Sequence, residues 1–248
     1  MMQSTWHVLS VVSTIPWIPP AEWATVPPHP GLTVFAFVAA VAGFFAAAGA
    51  FALCLALGWR TAARRIALAA ATGAFFYLAI LVAAGAASRE RTLPPGGKKY
   101  FCEIDCHLAY SVVAGEPSEA MRPCGPPGGG LRVVHVETWF DPTTISSFRG
   151  NAPLSPNPRR VYLLDSRGRR YEPAADAGAG CVEAFRGSTP FTRPLRPGES
   201  YRTALGFRVP RGAGALRLWL GDPEPGIEQF VPGHENGVFH PRVYLALR

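Results

Sequence analysis

LTVFAFVAAVAGFFAAAGAFALCLALGW forms residues 32–59 of this 248-residue chain, and IALAAATGAFFYLAILVAAGAA forms residues 66–87. Neither stretch contains a charged residue, although 17% of the whole chain is charged. A helix needs roughly 20 consecutive apolar residues to cross the hydrocarbon core of a bilayer. The two stretches therefore predict two transmembrane helices joined as a hairpin, which we bound at residues 31–87.

The apolar stretches fit neither a buried helix pair nor a cleaved signal peptide. A helix pair buried in a soluble protein would show a polar stripe along one face of each helix, and neither stretch has one. A cleaved signal peptide begins with a basic segment, whereas residues 1–30 contain six prolines and neither Lys nor Arg. We therefore expect both helices to remain in the mature protein.

The short connection between the stretches sets the expected orientation. Arg60, Arg64 and Arg65 lie in a predicted turn, and we expect them on the cytoplasmic side because short cytoplasmic loops are enriched in basic residues. The Pro- and Trp-rich arm over residues 1–30 and the long C-terminal domain then both lie on the exported side. We expect a bacterial inner-membrane protein with both termini and the C-terminal domain in the periplasm.

Small residues occur along both predicted helices and permit close contact between helices. They are Gly43, Ala47, Gly49 and Ala50 in the first helix and Ala70, Gly73, Ala74 and Gly85 in the second. The sequence leaves open whether these residues pack on each other or on another subunit.

The chain changes character after the second helix. Residues 88–99 are rich in Pro, Gly and charge, which is typical of a linker. Residues 100–248 carry short runs of alternating apolar and polar residues separated by Gly, Pro, Asn and Asp, which predicts an antiparallel β-sandwich. About seven strands are expected, as in an immunoglobulin-like sandwich. They are residues 109–113, 131–140, 161–164, 169–171, 201–209, 216–220 and 243–247.

Two of these strand predictions carry local detail. Residues 201–209 alternate so that one face is predicted to be buried and the other solvated. Residues 161–164 and 169–171 are separated by Asp165-Ser-Arg-Gly168, which predicts a hairpin turn with Gly at its last position.

Several short motifs carry a family resemblance. They are Tyr162-Leu-Leu-Asp165-x-x-Gly168-x-x-Tyr171, Leu195-x-Pro-Gly-Glu199, Leu205-x-Phe-x-Val-Pro210 and the strand at 216–220 followed by Gly221-Asp222. Over roughly residues 130–248 the chain resembles the telokin-like, immunoglobulin-type exported domain of uncharacterised bacterial envelope proteins. It differs in having a two-helix anchor instead of a lipidated cysteine. The resemblance implies an exported binding or assembly module without catalysis.

The five cysteines divide into two groups. Cys54 lies inside the first helix and is expected to pack as a small apolar residue. Cys102, Cys106, Cys124 and Cys181 belong to the domain expected outside the cytoplasm, where disulfides persist, and are the disulfide candidates. Four cysteines allow three complete pairings. If residues 100–106 form a strand, Cys102 and Cys106 stand about 13 Å apart, and each would pair with Cys124 or Cys181.

The sequence Cys102-Glu-Ile-Asp-Cys106-His107 supports metal binding as an alternative to disulfide formation. The architecture resembles subunit II of haem-copper oxidases, which has two spans and a β-sandwich with a Cys-x-x-x-Cys copper loop. That resemblance implies Cys102, Cys106 and His107 as metal ligands and copper as the cofactor. The chain departs from that family at Tyr110 and Val113, where a His and a Met would stand.

The remaining patterns favour binding over catalysis. No Gly-x-Ser-x-Gly, Walker, His-Glu-x-x-His or dinucleotide-binding motif occurs in the C-terminal domain, so we expect no enzymatic activity. That domain is mildly basic, which favours anionic lipid headgroups or an acidic protein, and its exported location argues against nucleic acid. A long loop over residues 221–237 is a further candidate binding element.

The sequence therefore predicts a non-enzymatic, membrane-anchored binding or assembly module with no cofactor. Its expected partners are the lipid bilayer and a protein of the membrane or envelope. The alternative is a copper-binding electron-transfer protein or metallochaperone.

Overall fold

A computed structural model describes residues 30–101, 107–113, 121–124, 130–145, 148–177, 182–223, 226–234 and 236–247. These residues form two compact units. The helical unit contains the described residues of 30–92 and 221–244, and the sandwich unit contains those of 93–220 and 245–247. The predicted arm over residues 1–30 lies outside the described residues except for Pro30.

The helical unit contains two long helices, α1 at Pro30–Ala56 and α2 at Arg60–Ala87. Both are long and apolar enough to cross a membrane, and the most apolar part of each is entirely unburied. The predicted pair of long apolar helices is therefore confirmed.

The predicted turn over residues 60–65 is wrong, because its three arginines lie within the first two turns of α2. Arg and Ala are good helix formers, so nothing in this segment stops a helix. The reversal is made instead at Gly58, whose φ of 76° suits glycine. Gly58 N–H donates to the Leu55 carbonyl and Trp59 N–H to the Cys54 carbonyl, which is the Schellman pattern of a helix end.

Ten strands follow in the described residues. They are β1 (Arg91–Leu93), β2 (Lys99–Phe101), β3 (Leu108–Val112), β4 (Met121–Cys124), β5 (Leu131–Phe140), β6 (Arg160–Asp165), β7 (Arg170–Tyr171), β8 (Ser200–Arg208), β9 (Leu216–Gly221) and β10 (Val243–Ala246). A one-turn helix, α3, covers Val182–Phe185, and a 3₁₀ turn covers Ile227–Phe230.

The strands form two five-stranded sheets. One has the order β1-β10-β9-β6-β7. In the other, β5 is central: β8 pairs with it along almost its full length, from Leu131 to Trp139. Because β8 occupies one edge of β5, β3 and β4 share the opposite edge, with β3 on residues 136–140 and β4 on residues 131–134.

The two sheets share one hydrophobic core. Val134, Val136 and Phe140 of β5 belong to the same buried cluster as Leu163 of β6 and Leu218 of β9. The predicted β-sandwich is therefore confirmed as two packed sheets.

The strand count and the linker differ from the predictions. All seven predicted strands are present within a residue or two of their expected bounds, and the three further strands β1, β2 and β4 have only three or four residues each. The predicted linker over residues 88–99 contains β1 and the first residue of β2.

The predicted solvated face of β8 is wrong in the middle of the strand. Ala204 and Gly206 lie on the face predicted to be solvated, and both are buried, so the expected alternation breaks there. Ala204 and Val133 form a second small core with Ala184 and Phe185 of α3. A covering segment thus converts part of the outer face into an interior.

Candidate membrane and partner-binding surface

The helical unit presents large apolar side chains to its surroundings along both helices. Phe35 and Phe45 on α1 and Phe75 on α2 are each more than 65% exposed. Soluble monomers rarely expose apolar patches larger than a few hundred Å². The surface of α1 and α2 is thus suited to contact with an apolar medium or an apolar partner.

An apolar cleft lies between the two helices and has a volume of about 1280 Å³. Gly43 and Gly73 line it, together with Phe37, Phe44 and Tyr77. A Cβ atom added at either glycine would have no neighbour within 4 Å. These two small residues therefore do not mediate contact between α1 and α2.

The end of the hairpin nearest the reversal is basic. Arg60, Arg64 and Arg65 are exposed in the first turns of α2, and Trp59 beside them is 60% exposed. Tryptophan and basic side chains are enriched where a helix leaves the hydrocarbon region. This end has the chemistry of a membrane–water interface.

Residues 226–240, apart from residue 235, form a segment that packs against α2, and we name it the 226–240 loop. The Tyr77 hydroxyl donates a hydrogen bond of 2.8 Å to the Phe230 carbonyl. At Gly85 an added Cβ would lie 2.5 Å from Cβ of Phe239, so the loop approaches the helix backbone closely there. Leu81 lines the small pocket between these two contacts. Tyr77, Leu81 and Gly85 are spaced four residues apart and share one face of α2.

The polar groups of the 226–240 loop bond largely to one another. Gln229, Val231 and Val238 donate their N–H groups to carbonyls of the same loop. The Glu228 carboxylate accepts from Gly226 N–H at 2.6 Å. Burial lowers the pKa of His234, although the nearby carboxylates of Glu228 and Asp222 raise it. The imidazole is consequently neutral near pH 7.

Three of the candidate cysteines, Cys102, Cys106 and Cys181, lie outside the described residues. Cys124 is the last residue of β4, and its backbone pairs with Leu131 at one end of β5. Phe101 and Leu108, which flank the segment 102–107, pair with each other, and Leu108 pairs with Phe140 at the other end of β5. β2 ends at Phe101, and residues 102–106 of the strand considered over residues 100–106 lie outside the described residues.

His107 is the candidate metal ligand that the structure describes, and it is buried. Its Nδ1 lies 2.6 Å from Oγ1 of Thr144, and its ring stacks on Phe140. The Thr144 hydroxyl also donates to the Asp141 carbonyl at 3.2 Å. His107 is therefore part of a packed polar cluster.

Asp141 organises this cluster, and sequence reasoning missed it. Its carboxylate accepts from the Tyr100 hydroxyl at 2.8 Å and from N–H and Oγ1 of Thr143 at 2.8 and 2.7 Å. Its own N–H donates to the His107 carbonyl. The sequence Asp141-Pro-Thr-Thr at a strand end is a turn signal that could have indicated this role.

The described residues contain no cluster of side chains suited to hold a metal ion. Within them, no three side chains of His, Cys, Asp or Glu come together as a metal site. The copper prediction depends on Cys102 and Cys106, which fall outside those residues, and it stays a prediction.

Comparisons with known proteins do not assign this chain to a family. No protein-family model matches the chain, and no curated protein sequence matches it. The yjhA protein of Bacillus subtilis shares 10% identity over 63% of this chain and 100% of its own, with a TM-score of 0.35. The secreted Mycobacterium tuberculosis protein MPT63 shares 13% identity over 64% and 99%, with a TM-score of 0.36. A conserved hypothetical protein of Bacillus anthracis shares 20% identity over 49% and 86%, with a TM-score of 0.32. At these TM-scores the fold assignment rests on the chain's own strands and core.

Proposed function

We propose that this protein is a non-enzymatic module of the bacterial inner membrane. α1 and α2 anchor it in the bilayer, and its β-sandwich serves in the periplasm as a binding or assembly domain of a larger membrane complex. The observation that carries the proposal is the exposure of apolar side chains along both helices.

Solvation energetics support the anchoring step. Removing one Phe or Leu side chain from water is worth roughly 1.5–3 kcal/mol. If the apolar surfaces of α1 and α2 stayed in water, the protein would lose this stabilising free energy at each of their large side chains. A bilayer accommodates these surfaces without any further protein around them.

The orientation is supported by the basic end of the hairpin. Arg60, Arg64 and Arg65 are exposed beside the helix reversal, and basic residues close to the ends of transmembrane helices stay on the cytoplasmic side. With this end in the cytoplasm, the C-terminal end of α2 and the sandwich that follows are exported.

The open cleft between the helices supports a role as an accessory subunit. Gly43 and Gly73 line the cleft and have free space around their Cα atoms. Small residues at helix surfaces allow another transmembrane helix to approach closely. We expect a helix of a partner protein to pack there.

The sandwich is expected to bind through its loops and faces. Two contacts cover the outer edge of β8. Pro173 forms an isolated β-bridge with Phe207, and Thr189 N–H donates to the Arg202 carbonyl. The other sheet ends in β1 and β7, which have three and two residues. Short or covered edges disfavour addition of a partner strand.

A fractionation and reporter experiment tests the proposal in the full-length protein. We expect the protein to stay in the membrane pellet after alkaline carbonate washing. A C-terminal alkaline phosphatase fusion should be active, and a C-terminal green fluorescent protein fusion should be dark. Release by carbonate would contradict the anchor, and a fluorescent, phosphatase-inactive pair would contradict the orientation.

Metal analysis of the same preparation tests the absence of a cofactor. We expect no stoichiometric copper in protein purified from copper-supplemented cells. One or more copper ions per chain with thiolate absorption bands would favour the electron-transfer or metallochaperone alternative instead.

A further inference from the structure

We propose that the 226–240 loop enters the exported-side leaflet of the bilayer beside α2, as a third membrane-contacting element. This proposal rests on the membrane anchoring proposed for α1 and α2. The ligand is the acyl-chain and glycerol region of phospholipid, and three apolar side chains of the loop, those of Ile227, Val238 and Phe239, provide the contact.

The position of the loop along α2 is the first argument. The loop contacts α2 from Tyr77 to Gly85. Helix α2 ends at Ala87, so at 1.5 Å per residue Tyr77 lies about 15 Å from that end. The hydrocarbon core is about 30 Å thick. If α2 spans the bilayer, a segment lying along its last ten residues lies within the outer leaflet.

The surface of the loop is the second argument, because every exposed side chain among its described residues is apolar. The apolar side chains of Ile227, Phe230, Val238 and Phe239 are 72%, 46%, 58% and 49% exposed. The polar residues Glu228, Gln229, His234, Asn236 and His240 are all only partly exposed. Such a pattern suits an apolar surrounding.

The internal hydrogen bonding removes the main objection to this placement. Non-helical backbone is tolerated at membrane depth only where its polar groups are satisfied by protein or water. The 3₁₀ turn and successive turns bond the loop to itself, and Tyr77 of α2 supplies a donor for the Phe230 carbonyl. Asn236 bonds to the Asp222 carboxylate at 2.7 Å. The Glu228 carboxylate, the acidic group among the described residues of the loop, accepts from Gly226 N–H at 2.6 Å.

Continuity with the helix surface decides in favour of lipid as the occupant. The exposed loop residues adjoin the face of α2 that carries Leu78 and Val82, whose side chains are 51% and 45% exposed. A medium that solvates this face of α2 also reaches the loop resting on it. A protein partner would have to displace lipid from both.

Photocrosslinking in the full-length protein tests this inference. p-Benzoylphenylalanine replaces Ile227 or Val238, and the protein is reconstituted into vesicles of phosphatidylethanolamine and phosphatidylglycerol. Because both side chains are exposed, replacement should leave the packing intact. We expect irradiation to add the mass of a phospholipid at both positions.

Two matched positions make the outcomes distinct. p-Benzoylphenylalanine in place of Phe75, an exposed residue of α2, should also yield lipid adducts. In place of Phe148, which is 97% exposed in the sandwich unit, it should yield none. Two outcomes would overturn the loop proposal and leave the anchor standing. One is lipid adducts at position 75 with none at positions 227 and 238, and the other is protein adducts at positions 227 and 238. Absence of lipid adducts at Phe75 as well would overturn the anchor itself.

Discussion

Asp165 holds the turn between β6 and β7 through four hydrogen bonds to a side chain that is fully buried. Its carboxylate accepts from the N–H groups of Arg167 and Arg169 at 2.9 Å each. It also accepts from Nε of Arg169 at 2.8 Å and from the Tyr171 hydroxyl at 2.9 Å. One side chain thus fixes both the turn and the start of the returning strand.

The titration of Asp165 predicts an acid-dependent loss of stability. Burial alone would raise its pKa, but the hydrogen bonds from Arg169, Tyr171 and Arg167 outweigh burial and hold the pKa far below the ordinary value of 3.8. A lowered folded-state pKa stabilises the fold above the unfolded value. That contribution is fully present above about pH 4 and is lost as the pH falls further.

Replacement of Asp165 isolates this contribution. We expect Asp165→Asn to lower the melting temperature of the full-length protein at neutral pH, with the difference from the parent shrinking toward about pH 2. Glu172→Gln is the control, since Glu172 pairs with Arg160 at 3.4 Å in an exposed ion pair worth less than about 1 kcal/mol. A difference that stays constant with pH would show that the carboxylate charge is not responsible.

At the scale of secondary-structure elements, length decided which elements the sequence could predict. The two apolar stretches and the ten-residue strand β5 each contain enough residues for a periodic pattern. β1, β2 and β4 have three or four residues, which are too few to show an alternation of apolar and polar residues. Lys99 of β2 is completely buried and bonds to the Leu220 carbonyl at 2.6 Å, which hydropathy alone would never suggest.

The exposure of an element depends on what the rest of the chain places over it. Alternation predicts a solvated Ala204, yet Ala204 is buried and packs against Ala184 and Phe185 of α3. Similarly, basic residues that interrupt an apolar run favour a turn at the three arginines. Local helix propensity carries α2 through them instead.

Two glycines of α2 provide a matched test of the loop contact. Gly85→Ala would place a Cβ 2.5 Å from that of Phe239, whereas Gly73→Ala meets nothing within 4 Å. Alanine favours a helix over glycine by about 1 kcal/mol, and overpacking costs about 1–3 kcal/mol. We expect Gly73→Ala to be neutral or stabilising and Gly85→Ala to be destabilising.

Hydrogen exchange and thermal unfolding of the two variants measure this difference. Faster exchange in peptides from residues 226–240 should accompany Gly85→Ala alone. Equal behaviour of the two alanine variants would mean that the loop does not rest on Gly85 in the folded protein.

At the scale of the whole molecule, the candidate surface was predictable in part. Charge-free stretches and the arginines between them are local features, so the helix pair and its basic end could be read directly. The contact between Tyr77 and Phe230 joins residues 153 positions apart. No local pattern specifies such a contact, although a tyrosine and a glycine on one face of an otherwise apolar helix indicate that something packs there.

Sheet topology also constrains the cysteines. Cys124 pairs at the Leu131 end of β5, and Phe101 and Leu108 lie at the Phe140 end. The ten residues of β5 hold these ends about 30 Å apart, whereas a disulfide requires Cα atoms within about 7 Å. We expect non-reducing peptide mapping of the full-length protein to show no bond from Cys124 to Cys102 or Cys106. Detection of either bond would contradict the register of β3 and β4 on β5.

The arginines at the helix reversal should control the orientation of the whole chain. Replacing Arg60, Arg64 and Arg65 together by Gln removes the basic residues at the start of α2, beside the helix reversal. The basic residues that follow α2, including Arg89 and Arg91, remain. Because orientation follows the difference in basic residues near the ends of the helices, we expect a population with the C-terminus in the cytoplasm to appear.

C-terminal fusions to green fluorescent protein and alkaline phosphatase measure this population. Green fluorescent protein should gain fluorescence in the triple variant while alkaline phosphatase loses activity. Replacing the exposed Arg186, Arg202 and Arg211 of the sandwich unit by Gln removes the same charge elsewhere and should leave both signals unchanged. Equal shifts in the two triple variants would indicate that net charge, rather than the position of the arginines beside the helix reversal, sets the orientation.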